Sequence, residues 1–293
     1  MVYEEIAANK RESFFLMFLF VVFLLFLGWV FGEAYGVGIE GVVIALLFAL
    51  SITLFTFFYG DKMVLGISHA RPVDRKTNPY LANVVEGLAI AAGVPAPKAY
   101  IINDSAPNAF ATGKDPRNSS VVVTTGLLDK LNRLELEGVI AHEMSHIKNY
   151  DIRYVTLVAI LVGTVALLSD WMRRSFFYRG RRKKGGTGGG IIIIIALVLA
   201  ILAPIVAQLI RFAISKQREY LADANGALLT RYPEGLASAL EKISKDTEPL
   251  EVANKATAHL YIVNPLLEHR GKLNTLFSTH PPVQERIARL RAM

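Results

Sequence analysis

No cysteine occurs among the 293 residues, which excludes disulfides, cysteine-type zinc sites and thiol nucleophiles together. Charge is also scarce. Asp, Glu, Lys and Arg make up 19% of the chain against 53% hydrophobic residues, a balance more apolar than soluble domains use, so the chain should meet lipid as well as water. Acidic groups are the scarcer sign, 25 against 32 basic ones, for a net charge of +7. The basic excess stands beside apolar segments and no nucleic-acid-binding module accompanies it, so it points to a membrane surface and away from nucleic acid as a partner. Histidine is limited to 6 residues, which makes any regular spacing among them informative.

What is abundant comes in long apolar runs. Met1 to Ser13 is polar, and the uncharged run Phe14 to Gly32 that follows is long enough to cross roughly 30 Å of hydrocarbon. A secretory signal would have a shorter apolar core and a small-residue cleavage site, so this segment should be retained. A second run, Gly36 to Tyr59, follows a tight connection containing Glu33, and the two read as a transmembrane hairpin. A third, Ile152 to Ser169, leads through a glycine-rich basic linker, Arg173 to Gly190, to a fourth, Ile191 to Ile210, where Pro204 should introduce a kink. The chain thus divides into an N-terminal hairpin (1–59), a globular part (60–151), a second hairpin (152–210) and a C-terminal globular part (211–293).

Lys10 and Arg11 precede the first run and Lys62, Arg71, Arg75 and Lys76 follow the second, while the loop between carries neither Lys nor Arg. The positive-inside rule then places the N-terminus and the globular parts in the cytoplasm of a multi-pass protein of the cell membrane. The basic linker opposes this: a full crossing carries it outside, whereas a hairpin that enters without crossing leaves its tip on anionic headgroups. The lengths of the third and fourth runs favour four crossings.

Between the hairpins, Asn78-Pro79 opens a helix that Gly93-Val94-Pro95 stops after Ala92. Three strands are expected at Lys98 to Ile102, Ala109 to Thr112 and Ser119 to Thr124, forming a small antiparallel sheet. A further helix, Leu134 to Tyr150, should begin near Asn132, with Glu135 completing a capping box.

That helix carries His142-Glu143-Met144-Ser145-His146. Residues i and i+4 share a helix face, so both imidazoles can aim at one point, as a zinc ion requires. Glu143 lies about 100° around the helix from His142, able to reach a water without filling a ligand position. In a zinc peptidase the metal polarises the scissile carbonyl and the carboxylate moves the proton. A catalytic zinc wants three protein ligands and an open position. The metzincin solution fails, because Asn149 and Ile152 stand where glycine and histidine are needed. In the helical pattern after Arg211, Glu219 and Asp223 again share a face, and Glu219 is the candidate third ligand. Asp223 then serves as acceptor for the far nitrogen of a zinc-bound imidazole, that of His142.

With Asn108-Ala109-Phe110-Ala111-Thr112-Gly113, the zinc helix, both hydrophobic hairpins, Arg218-Glu219-Tyr220-Leu221-Ala222-Asp223 and Phe277-Ser278-Thr279-His280-Pro281-Pro282, the chain resembles the HtpX-type membrane metalloproteases, relatives of the CAAX prenyl proteases, over nearly its whole length. The resemblance implies one zinc bound by His142, His146 and Glu219, with Glu143 as general base. It also implies an α+β zincin domain of gluzincin type joined to membrane helices, and an edge strand at Asn108, Ala109 and Phe110 beside which a peptide substrate lies. Such an edge can add an extended substrate as a further strand without demanding particular side chains. His280, held by two prolines, can donate a hydrogen bond to the oxyanion of the tetrahedral intermediate.

The expected function is a zinc-dependent endopeptidase acting on misfolded or membrane polypeptides in envelope quality control. Two other readings stand beside it. One is a processing protease for lipidated C-terminal peptides, which, in the related enzymes that the resemblance points to, occupies a large intramembrane chamber formed by more helices than this chain supplies. A non-catalytic membrane scaffold or chaperone with a structural zinc would need four protein ligands and would leave Glu143 idle. His69, His259 and His269 read as surface residues, and Arg218 and Arg286 receive no role.

Overall fold

Two long apolar helices open the fold. In the computed structural model, which describes residues 2–180, 216–253, 257–263, 265 and 281–293, α1 spans Val2–Tyr35 and α2 spans Ile39–Ile67. The chain reverses between them on Gly36 and Gly38, whose φ angles of 71° and 59° are left-handed values that glycine adopts without steric cost. α2 runs on past the boundary expected at Tyr59 and carries its last turns into the globular part.

The remaining elements are β1 (Arg71–Val73), α3 (Pro79–Ala92), β2 (Lys98–Ile102), β3 (Ala109–Asp115), β4 (Asn118–Thr124), α4 (Thr125–Lys130), α5 (Arg133–Lys148), α6 (Asp151–Gly180), α7 (Lys216–Thr230), α8 (Pro233–Lys245), a 3-10 turn (Ala258–Leu260) and α9 (Val283–Arg291). Among the described residues three helices are long and apolar enough to cross a membrane, within Ile6–Glu33, Ile39–Ile67 and Asp151–Leu168. The fourth apolar run, Ile191 to Ile210, lies outside the described residues.

The sheet corrects one expectation. Its order is β1-β2-β4-β3, and it is mixed, not antiparallel: β2 pairs with β4 in parallel while the other two pairings are antiparallel. The cause is topological. β3 runs opposite to β2 but takes the outer edge, and the short β3–β4 turn then folds β4 back into the gap between them, parallel to β2. β1 was not expected from the sequence; its proline sits on the opposite edge, where a missing ladder donor is tolerated.

Alternation along β3 and β4 divides the protein into two packed faces. Ala109, Ala111, Val121 and Val123 pack into a core with Val139, Ile140 and Met144 of α5 and Leu236 and Leu240 of α8. Phe110 and Val122 face the other way, onto Val64 and Leu65 of α2 and Ala159 and Ile160 of α6. Beyond that seam Leu16, Phe20 and Leu24 of α1 pack on Tyr154, Leu157 and Leu161 of α6. The sheet is therefore held between the ends of the apolar helices and α5.

α5 begins as its sequence indicates. Asn132 Oδ1 accepts from the Glu135 backbone N–H at 3.0 Å, and Glu135 Oε2 accepts from the Asn132 N–H at 2.9 Å. Its end differs from expectation. The short spacing from His146 to the third apolar run suggests one continuous helix, but α5 stops at Lys148 and Tyr150 adopts a φ of 62° before α6 starts at Asp151.

Candidate active site

Helix periodicity puts His142 and His146 on the same buried face of α5, with α7 packed across it. The two helices approach closely at Gly226, where an added Cβ would lie 3.1 Å from the His142 backbone nitrogen. That approach brings Glu219 and Asp223, both buried, against the two imidazoles. One ligand atom each from His142, His146 and Glu219 lies within 4.8 Å of the others.

The individual separations have the size a metal demands. His142 Nε2 and His146 Nε2 are 3.2 Å apart, His146 Nε2 is 3.5 Å from Glu219 Oε1, and His142 Nε2 is 3.8 Å from Glu219 Oε2. Two ligands each about 2.0 to 2.1 Å from a tetrahedral zinc stand about 3.3 Å apart. Each far nitrogen is turned toward a carboxylate: His142 Nδ1 is 2.9 Å from Asp223 Oδ1, and His146 Nδ1 is 3.0 Å from Asp151 Oδ2. A hydrogen on Nδ1 leaves the Nε2 lone pairs facing each other beside a carboxylate, an arrangement that suits a cation between them.

Asp151 reaches His146 because of the break between α5 and α6. In an unbroken helix the residue five positions on points to another face; the left-handed Tyr150 swings it back. Burial opposes a charge on His146, but the hydrogen bond its Nδ1–H donates to Asp151 and the attraction of Glu219 and Asp151 lift its pKa from 6.5 to about 9. Asp223 is treated similarly from the other side. Burial would raise its pKa, yet the guanidinium of Arg286 holds it well below the usual carboxylate range. Arg286 donates to both Asp223 oxygens and to the Ile262 carbonyl, the last at 3.0 Å, and its Nη1 is 3.4 Å from Glu219 Oε2.

Glu143 is buried beside this cluster and belongs to none of its pairs. Burial pushes its pKa up, with the two histidines acting in the opposite direction. It lines a cavity together with His142, His146, Glu219, Ala111 and His259.

β3 runs along that cavity. The Asn108 carbonyl accepts from Thr124 of β4, while the Ala109 carbonyl accepts from the Ile262 N–H at 2.9 Å on the outer side. By strand alternation Ala111 also turns its backbone groups outward. Within the expected substrate segment the polar and aromatic groups are engaged internally. Asn108 Nδ2 donates to the Val263 carbonyl, Asn108 Oδ1 accepts from the Ala109 N–H, and the fully buried Phe110 ring meets Tyr261 edge-on at 5.0 Å. The residue of this edge that lines the cavity is Ala111, one pleat further on.

Three assignments from the sequence change. His259 is buried, not at the surface, with Nε2 3.3 Å from the Val155 carbonyl. Arg286 has no exposed surface and braces the site, and Arg218 pairs with Glu12 of α1. Separations of this length leave no periodic trace in the sequence. Asp151, five residues after His146, carried no signal because its role depends on the helix break. His69 is exposed, as expected. His269 and His280 lie outside the described residues.

A family model described as peptidase family M48 matches residues 75–293. A protease HtpX homolog of Dictyoglomus turgidum is 53% identical over 291 residues, covering 99% of this chain and 94% of its own. One of Listeria monocytogenes is 44% identical over 305 residues, covering 100% of both chains. The crystal structure of Ste24p from S. mikatae is similar in fold, with a TM-score of 0.51 at 19% identity over 98% of this chain and 67% of that one.

Proposed function

This chain belongs to peptidase family M48, among the HtpX-type membrane metalloproteases, and from that premise we propose that it is a zinc endopeptidase of gluzincin type that hydrolyses misfolded or membrane polypeptides in quality control. The observation that carries the reading is the His142, His146 and Glu219 cluster with a buried glutamate, Glu143, beside it and outside the ligand set. When bound, zinc polarises the scissile carbonyl and lowers the pKa of an adjacent water. Glu143 takes the proton of the attacking water and passes it to the leaving amine. Asp223 and Asp151 hold the two imidazoles in the tautomer that presents Nε2. His280 donates a hydrogen bond to the developing oxyanion.

An extended substrate pairs with the outer edge of β3 at Ala111, where strand addition holds the scissile bond by its backbone and tolerates varied side chains. The start of α6 at Asp151 supports a site close to the membrane surface, within reach of segments leaving the bilayer. In this reading the hydrophobic runs make four crossings and the globular parts face the cytoplasm.

A non-catalytic scaffold with a structural metal would close the site with a fourth protein ligand and has no use for a buried Glu143. Detergent-solubilised protein incubated with casein separates the two: zinc-dependent cleavage that a chelator abolishes supports the peptidase, and intact casein with zinc bound supports the scaffold.

A further inference from the structure

The polar head of the first apolar helix is buried where no lipid-anchoring role requires it. Asn9 is 3% exposed and Ser13 is 0% exposed, although both stand just ahead of an uncharged apolar segment. Asn9 Nδ2 donates to the Asn149 carbonyl at 2.8 Å and to Asp151 Oδ1 at 2.6 Å. Both partners can only accept, so both amide hydrogens are used and the orientation of the amide is determined. The Ser13 hydroxyl in turn donates to the Asn9 carbonyl at 2.7 Å.

These contacts fall on the two sides of the break between α5 and α6. Asn149 caps the helix that carries His142 and His146, and Asp151 is the carboxylate whose other oxygen faces His146 Nδ1 at 3.0 Å. A second tie runs from the same helix head. Glu12 pairs with Arg218, the neighbour of Glu219, and Arg218 Nε is 3.8 Å from Asp151 Oδ1. Lys10 lies 4.2 Å over the ring of Tyr150, the residue in the left-handed turn itself.

We propose that Asn9 is a positioning residue for the metal centre: the head of the first membrane helix clamps the α5–α6 break and orients the Asp151 carboxylate that orients His146. This rests on the metalloprotease reading above. A carboxylate with one oxygen on the imidazole and the other unheld can rotate about its side chain; one Asn9 amide hydrogen on Asp151 Oδ1, with the other anchored on the Asn149 carbonyl, removes that freedom. Membrane anchoring and metal affinity thereby become properties of one helix.

The test uses full-length protein in detergent, with zinc affinity measured by chelator competition and folding by thermal unfolding. Asp151→Ala should weaken zinc binding by roughly 10- to 100-fold, the range for a direct outer partner of a ligand, and Asn9→Ala by about 5-fold, one link further out. Because Asn9 acts through Asp151, adding Asn9→Ala to Asp151→Ala should cost nothing more. Asn9→Asp, which keeps the size but replaces the donors with acceptors, should weaken binding at least as much as Asn9→Ala and decides the matter if the alanine variant does not fold. Unchanged zinc affinity in folded Asn9 variants, or the same loss with Asp151 already removed, overturns the proposal. Failure of the metalloprotease reading looks different: the wild-type protein itself binds no zinc.

Discussion

Arg286 donates from Nε and Nη2 to the two oxygens of Asp223 at 2.8 and 2.7 Å, and does so with none of its surface exposed. The pair ties α9 to α7 and fixes the acceptor for His142 Nδ1. A fork of this kind needs a planar guanidinium, which lysine does not supply.

Arg286→Lys should therefore keep a positive charge yet weaken zinc binding, by about 10-fold, while Arg286→Ala, which leaves Asp223 buried without its partner, should destabilise the fold by about 3 to 5 kcal/mol. Chelator competition and chemical unfolding in detergent read the two effects. Wild-type affinity in Arg286→Lys would show that the second hydrogen bond of the fork is dispensable.

Glu143 and Glu219 are both buried glutamates at one cavity, and their roles predict opposite patterns. Glu143→Gln should retain about one zinc per chain and lose several orders of magnitude in casein cleavage, the behaviour of a proton carrier. Glu219→Ala should lose zinc and activity together, as a ligand must. Metal analysis alongside the protease assay distinguishes them, and wild-type cleavage by Glu143→Gln would overturn the mechanism.

The pKa of about 9 at His146 has a consequence for metal binding, because a zinc-bound imidazole must give up the proton that Asp151 and Glu219 favour. Zinc affinity should rise with pH through the neutral range and level off above about 9, with proton release detectable calorimetrically in buffers of different ionisation enthalpy. The sign reverses for the chelator-treated protein. A raised pKa contributes stability that is complete below the ordinary value of 6.5 and is lost as pH climbs through about 9, so its thermal midpoint should fall over that interval, and fall less in His146→Gln. A metal affinity independent of pH between those values would contradict the assignment of His146.

The chain has no cysteine, so single cysteines report topology without background. Val37, at the exposed turn between α1 and α2, and Arg117, at the exposed β3–β4 turn, lie on opposite sides of the membrane in the proposed orientation. In intact cells an impermeant maleimide should label Val37→Cys and spare Arg117→Cys. Labelling of Arg117→Cys from outside would place the catalytic part on the other face.

Local sequence alone determined a good deal of this molecule. Asn132 and Glu135 start α5 because a capping box needs only residues three apart, and His142, Glu143 and His146 share its face region because helical periodicity is a local property. The first three apolar runs make long helices for the same reason: in hydrocarbon a backbone must satisfy its own hydrogen bonds within the segment. What tertiary structure decided is everything that depends on how these pieces are turned against each other. The mixed sheet follows from β4 entering between β2 and β3, a choice of neighbours that no strand encodes in its own residues. Arg286 looks like any surface arginine until α9 docks on α7 and removes it from water. Asp151 serves His146 only because Tyr150 breaks the helix, and Asn9 reaches Asp151 only because α1 packs along α6. Each of those contacts joins elements whose separation along the chain or change of direction erases periodicity, and only packing brings their polar groups to a common point.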